Sequence, residues 1–267
     1  MDILIACQGG DYTRPMRQKL DDIGWRGYWI DAASTKRMDE DSIIILDPIN
    51  NMYIQDSLNS GCKNFIGGNC TVSLMLMALG GLFKHNAVEW ISSMTYQAAS
   101  GAGAKNMLEL LHQSKCIGDN FESSLGERAL DLEKKMNLLI SSKDFPTSEF
   151  TKPLALNLLP WIDSEMDNGQ TREEWKGQAE TNKILQTKKN IAIDGTCVRV
   201  GALRTHCQAF TIKLNQNIGL KEIEQMIGSG NDWVKLVANN KQDTLDSLTP
   251  AAVSGSLSIP VGRLRKM

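Results

Sequence analysis

Asn64-Phe65-Ile66-Gly67-Gly68-Asn69-Cys70-Thr71-Val72-Ser73-Leu74-Met75-Leu76-Met77-Ala78-Leu79-Gly80-Gly81-Leu82-Phe83-Lys84 is the stretch on which the fold turns. A short apolar strand, Phe65-Ile66, runs into Gly67-Gly68, and a long apolar helix follows Asn69. Cys70 therefore stands at a strand-to-helix turn, on the first turn of the helix. Unpaired backbone N–H groups there carry partial positive charge and favour a thiolate over a thiol. The two glycines permit a sharp turn and a close approach of substrate. That is how a nucleophilic cysteine is built. A small buried hydrophobe is the other reading, and this stretch alone leaves both open.

Working outward, the remainder looks like an ordinary globular chain. Its 267 residues suffice for one large domain or two modest ones. Hydrophobic content of 42%, charged content of 22% and a net charge of −2 point to neither a nucleic-acid nor an anionic-membrane partner. The six cysteines, at 7, 62, 70, 116, 197 and 207, form no CxxC pair. That argues against a metal site or a disulfide scaffold and fits a reducing cytoplasm. Leu4-Ile5-Ala6-Cys7 resembles a lipoprotein box but lacks a basic flank and an apolar lead. Asn69-Cys70-Thr71 matches a glycosylation sequon, incidental in such a chain. The apolar run at residues 74–79 is too short to span a bilayer.

Upstream of the central stretch, residues 2–7, 27–33 and 42–46 read as short buried strands. Gln8-Gly9-Gly10-Asp11 forms a turn, and residues 13–20 form a helix. Strands alternating with helices indicate a parallel sheet. No G-x-G-x-x-G follows the first strand, so the sheet reads as though it starts in its middle. Downstream, residues 87–96 form a strand. Gln97-Ala98-Ala99-Ser100-Gly101-Ala102-Gly103-Ala104-Lys105 then leads into a helix through residue 111. Such a turn offers N–H groups to an anion, although a plain tight turn has the same composition. Residues 125–139 form an amphipathic helix and 146–160 a loop. Thr171 and Glu174 form a capping box at the start of another helix. Residues 190–214 alternate with period two, which predicts antiparallel strands joined at Asp194-Gly195 and Gly201-Ala202. Residues 219–227 form a short helix, and 251–263 a final strand. The fold class expected is α/β: a remnant of a Rossmann-like parallel sheet at residues 1–69, then a mixed α+β catalytic and dimerisation domain at 70–267.

Few residues outside the stretch can do acid–base chemistry. Of three histidines, His85 and His112 read as surface. His206, in Arg199-Val-Gly-Ala-Leu-Arg204-Thr-His206, can serve as a general acid or base, or as a plain hydrogen-bonded sheet residue. Arg199 suits a carboxylate. Glu173 and Lys176 share a helix face, as a ligand-binding pair or as a solvated ion pair. Arg37 follows a strand end, where α/β crevices form, though alone it reads as a surface charge.

Four segments together are specific. Gly-Gly-Asn69-Cys70-Thr-Val-Ser, Tyr96-Gln97-Ala-Ala-Ser-Gly, Glu174-Trp-Lys176-Gly-Gln-Ala-Glu-Thr-Asn-Lys and Arg199-Val-Gly-Ala-Leu-Arg-Thr-His206 resemble the aspartate-semialdehyde dehydrogenase family, in its Gram-negative bacterial form. The likeness runs in order from residue 3 to the last residue. It implies Cys70 as nucleophile, His206 as general acid/base and Gln97 as the residue orienting substrate. It implies Arg199 and Glu173 as the groups holding the substrate's carboxylate and amino group. Arg37, Lys176 and Asn69 fall to phosphate, and Gln8 with Ser100, Gly101, Ala102, Gly103 and Ala104 to the cofactor NADP. The implied reaction is the NADPH-dependent reductive dephosphorylation of aspartyl phosphate in lysine, methionine and threonine biosynthesis, by a cytoplasmic homodimer without a metal.

The sequence departs from that family at both ends. The glycine-rich dinucleotide turn expected before residue 3 is absent, as is the segment after Gly262-Arg-Leu-Arg-Lys. A weak or inactive hydride transfer is expected on that ground. The alternatives are a non-catalytic dimerisation module or an inactive remnant of the enzyme. Acetylglutamyl-phosphate reductases share a similar cysteine and histidine, but the Glu-Trp-Lys-Gly-Gln-Ala-Glu-Thr-Asn segment favours the aspartate enzyme. A cysteine hydrolase sits poorly with the Arg37 and Lys176 pair.

Overall fold

A computed structural model describes residues 1–121, 126 and 128–267. Its first layer is a parallel sheet of four strands, β1 (Ile3–Ala6), β2 (Tyr28–Asp31), β3 (Ser42–Ile45) and β4 (Asn64–Gly67), in the order β1-β2-β4-β3. Helices α1 (Gly10–Asp22) and α2 (Asp47–Asn59) are the crossovers. The buried faces of Trp29, Ile43, Ile44, Phe65 and Ile66 hold this sheet. Helix α2 escaped the sequence reading: Asp47-Pro48 looks like a strand stop, yet proline at the first turn also starts helices.

Helix α3 (Cys70–Lys84) joins the first layer to the second. It is apolar on every side, and Val72, Met75, Leu76, Ala78, Leu79, Leu82 and Phe83 lie in the main core. A helix with no polar face has to be covered all round. Helix α7 (Leu220–Gly228) approaches it so closely that a β-carbon on Gly81 would collide with the Met226 carbonyl.

The second sheet has the order β6-β7-β5-β8, from β5 (Val88–Gln97), β6 (Leu158–Leu159), β7 (Ala192–Val200) and β8 (Cys207–Leu214). Here the hairpin expectation fails. β7 is one unbroken strand parallel to β5, and β8 pairs antiparallel with the other side of β5. Asp194-Gly195 is no turn. Gly195 lies opposite Ser93, and a β-carbon there would collide with the Ser93 backbone. Glycine in this strand marks a close backbone approach, a meaning its dipeptide shares with hairpins. Gly201-Ala202 belongs to the crossing loop. Even-numbered Trp90, Met94 and Tyr96 leave one face of β5 open, while Ile91, Thr95 and Gln97 face inward.

Helix α4 (Ala104–Phe121) runs past the predicted end at residue 111. In the predicted 125–139 helix, Leu125 and Glu127 lie outside the described residues, and the helix α5 (Ala129–Ile140) begins only at Ala129. Helix α6 (Arg172–Leu185) begins with the capping box, Thr171 and Glu174 exchanging both bonds. Beyond α7, β9 (Val234–Leu236) pairs parallel with β10 (Ile259–Val261). Only that short piece of the predicted 251–263 strand is extended. α8 (Lys241–Ser247) and α9 (Pro250–Val253) precede it, the latter started by Thr249 as cap and Pro250. No helix among the described residues is long and apolar enough to cross a membrane.

Candidate active site

Cys70 begins α3 as the sequence predicts, and Asn69 caps it. The Asn69 Oδ1 accepts from Thr71 N at 2.9 Å and Val72 N at 3.1 Å. Helix α6 holds Asn69 from the other side. Asn69 Nδ2 donates to the Glu173 carboxylate at 3.0 and 3.1 Å, and Asn69 N donates to Glu180 Oε2 at 2.8 Å. Glu173, Lys176 and Glu180 are three and four residues apart, on one buried helix face.

Glu173 is the hub. It also accepts from Gln97 Nε2 at 3.2 Å and from Lys176 Nζ at 3.1 Å. Lys176 reaches Asp163 Oδ2 at 2.7 Å as well. The Glu173–Lys176 pair is thus buried, not a solvated ornament. Burial works to raise the Glu173 carboxyl, but Lys176, Asn69 and Gln97 together hold it below its ordinary value. Lys176 is held above its ordinary value: burial opposes the charge, and Glu173 and Asp163 outweigh it.

Parallel pairing places Gln97 directly beside Arg199, and both are buried at the ends of their strands. The Arg199 guanidinium donates to Ala98 O at 2.8 Å, and Ala98 N donates to His206 Nδ1 at 3.0 Å. That bond leaves the neutral imidazole with its proton on Nε2. Burial first, and the Arg199 charge second, keep His206 below its ordinary 6.5. Thr205, just before it, has φ of 75°, a strained conformation for a β-branched residue. Cys70, Ser100, Thr205 and His206 line one cleft of about 1950 Å³.

The helix start does not make Cys70 a ready thiolate. Cys70 is exposed at the cleft, yet the protein packed around it desolvates the thiolate and raises its thiol most, and the Glu173 charge adds to it. The Thr71 and Cys70 N–H groups and Arg199 pull the other way without winning, so the thiol sits above its ordinary 9.0. Desolvation and a carboxylate supplied by α6 are invisible at the level of a strand–Gly-Gly–helix pattern.

The remaining predicted residues divide. Arg37 is buried, not a surface charge. Its guanidinium donates to Gly67 O at 2.7 Å, Gly68 O at 3.1 Å and Glu180 Oε1 at 3.1 Å. The Ser100–Ala104 turn leads from β5 into α4, and Ala99 N and Ser100 N donate to Ala202 O and Leu203 O of the His206 loop. Gly103 has φ of 105°, and a β-carbon on Gly101 would come within 2.8 Å of Arg199 Nη1 and 3.0 Å of His206 Nε2. Gly101 is thus packed against Arg199 and His206, and the turn stands at a helix start, where backbone N–H groups can meet an anion. Gln8 lies exposed at the end of β1, in the other sheet, and makes no side-chain hydrogen bond among the described residues. His85 and His112 are exposed, as read. No metal-holding cluster occurs among the described residues. Sequence reading missed Glu180, Asp163 and Gln208. Glu180 was findable from its spacing to Glu173, whereas Asp163 sits in an irregular loop without a signal.

Two family descriptions match the chain. Residues 1–57 match the semialdehyde dehydrogenase NAD binding domain, and residues 79–267 the semialdehyde dehydrogenase dimerisation domain. Aspartate semialdehyde dehydrogenase from Francisella tularensis is 51% identical, with a TM-score of 0.97 over 99% of this chain and 72% of that one. Aspartate semialdehyde dehydrogenase II from Vibrio cholerae, solved as a complex with ASA, is 26% identical with a TM-score of 0.73, over 90% of this chain and 63% of that one. The Candida albicans enzyme solved with NADP shares the fold at 15% identity and a TM-score of 0.62, over 99% of this chain and 68% of that one.

Proposed function

Because the chain belongs to the aspartate-semialdehyde dehydrogenase family, we propose that Cys70 is its nucleophile and that His206 faces it across the cleft as donor to the reacting oxygen. The reaction interconverts aspartyl phosphate and aspartate semialdehyde, with NADP as cofactor. The observation that carries the assignment of roles is the joining of Asn69, Gln97 and Lys176 on the single carboxylate of Glu173, at the foot of Cys70.

In the oxidative direction the Cys70 thiol loses its proton to solvent and the thiolate adds to the aldehyde carbon. His206 Nε2–H meets the oxyanion that forms. The acid/base role implied by resemblance narrows here to a donor, since the Ala98 N–H occupies Nδ1. NADP, when bound, supplies the hydride acceptor, and the Ser100–Ala104 turn and Gln8 are the residues assigned to it. Cys70 then carries the acyl group as a thioester, which phosphate cleaves to aspartyl phosphate, returning the thiolate. A guanidinium has five donors, so Arg199 keeps some for the substrate carboxylate beyond its bond to Ala98. Glu173 suits the substrate ammonium, and Lys176 with Asn69 the phosphate.

The division into residues 1–69 for cofactor and 70–267 for catalysis and dimerisation belongs to this reading. So do a cytoplasmic location, a homodimer and a place in lysine, methionine and threonine biosynthesis. The open β5 face with Trp90, Met94 and Tyr96 supports the dimer. The test is aldehyde- and phosphate-dependent NADPH formation by the full chain. Cys70→Ser is expected to abolish it. Activity retained in Cys70→Ser removes Cys70 as the nucleophile, and a wild-type chain that turns over nothing overturns the reading in favour of a non-catalytic module.

A further inference from the structure

The start of α3 is braced from two sides. Glu173 and Glu180 hold Asn69 from α6. On the opposite side Gln208, half-buried at the start of β8, donates from Nε2 to Thr71 O at 2.9 Å. Thr71 is the residue after Cys70, and Gln208 comes two residues after His206. One hydrogen bond therefore ties the nucleophile's turn to the strand that carries the imidazole, across 137 residues of sequence. Gln208 pairs with Thr95 of β5, so its own backbone is fixed within the sheet.

The second observation is strain. Thr205, immediately before His206, holds φ of 75°. Such a conformation persists only where its surroundings over-determine it. Ala98 N holds the ring itself. Gln208 holds the chain on the far side of Thr205 and His206 against α3.

We propose that Gln208 is a positioning residue that sets the separation of Cys70 from His206 and holds the first turn of α3, which carries the thiol, against β8. The inference rests on the reading that Cys70 and His206 act on one substrate. Gln208 touches no reacting atom in this scheme. Its effect passes through Thr71 O to the Thr71 and Cys70 N–H groups, which favour the thiolate.

The experiment compares wild type with Gln208→Met, which keeps length and bulk but cannot donate, and with Gln208→Ala. Three quantities are read: the pH profile of iodoacetamide alkylation at Cys70, followed on the Cys70 peptide by mass spectrometry; kcat and KM for aldehyde oxidation; and the thermal midpoint. Both variants are expected to alkylate Cys70 several-fold more slowly at neutral pH, with the profile moved toward higher pH. In Gln208→Met, kcat is expected to fall about tenfold with KM nearly unchanged, because misplacing reacting groups by about an ångström costs up to about a hundredfold. An alkylation profile superimposable on wild type overturns the proposal, whatever happens to turnover. A wild-type chain without turnover refutes the function proposed above and leaves the alkylation arm to decide this inference.

Discussion

Replacing Arg37 with methionine separates two roles for that residue. Resemblance assigns it to phosphate, whereas the structure uses it to hold Gly67 O, Gly68 O and Glu180 Oε1. The Arg37 and Glu180 side chains are only 10% and 2% exposed. Removing one partner of such a buried pair leaves a stranded charge and costs about 3–5 kcal/mol. For a protein of this size each kcal/mol moves the midpoint by about 2–4 °C, so Arg37→Met is expected to melt about 6–20 °C below wild type. Burial raises the Glu180 carboxyl, and the Arg37 charge restrains that rise. Without Arg37 the carboxyl binds its proton still more tightly in the folded chain than in the unfolded one. The variant's deficit should therefore shrink as pH falls and widen as pH rises. Replacing Glu180 with glutamine as well removes the stranded charge while keeping an acceptor for Asn69 N, and should return part of the loss. Thermal unfolding followed by circular dichroism, at about pH 5.5 and about pH 8, reads all of this. A variant melting within about 2 °C of wild type, with only a raised KM for phosphate, would refute the clamp and leave Arg37 a ligand of the cleft.

Two further outcomes follow from the charges around Cys70. Glu173→Gln removes the negative neighbour that raises the thiol, so Cys70 should alkylate faster than wild type at a fixed pH near neutrality; an unchanged or slower rate would remove Glu173 from the thiol's environment. For the whole enzyme, log kcat/KM should climb with unit slope from about pH 7 to about pH 9, since the thiol titrates above 9.0 while His206, held below 6.5, stays neutral throughout. A plateau already reached by about pH 7 would mean that Cys70 is a thiolate at rest, contrary to its surroundings.

What could be read without coordinates follows the range of the interactions. The strand–Gly-Gly–helix unit and the α6 capping box are local, and their residues stand where period and spacing put them. Gln97 bonds to Glu173, and the Glu173 and Arg199 charges act on both Cys70 and His206, so residues from four separate motifs lie near one another. Long-range features escaped. Asp194-Gly195 obeys a turn signal, yet a crossing strand dictates the glycine there. The Arg37 environment depends on Glu180, 143 residues away. The thiol's balance depends on the Glu173 carboxylate and on packing from a second layer that no local pattern encodes. Asp47-Pro48 shows the same ambiguity at short range, because a strand stop and a helix start share residues.

The pieces that surround Cys70 arrive late in the chain. Asn69 takes its partners Glu173 and Glu180 from 104 and 111 residues downstream. A nascent or partly folded chain carries the Cys70 thiol before α6 has docked, and therefore before the carboxylate and the burial that temper it are in place. The docking of α6 thus sets the surroundings of this sulfur, and its reactivity is a clock for that step. A pulse of alkylating agent during refolding, read at the Cys70 peptide, would time the docking of α6 without any introduced label.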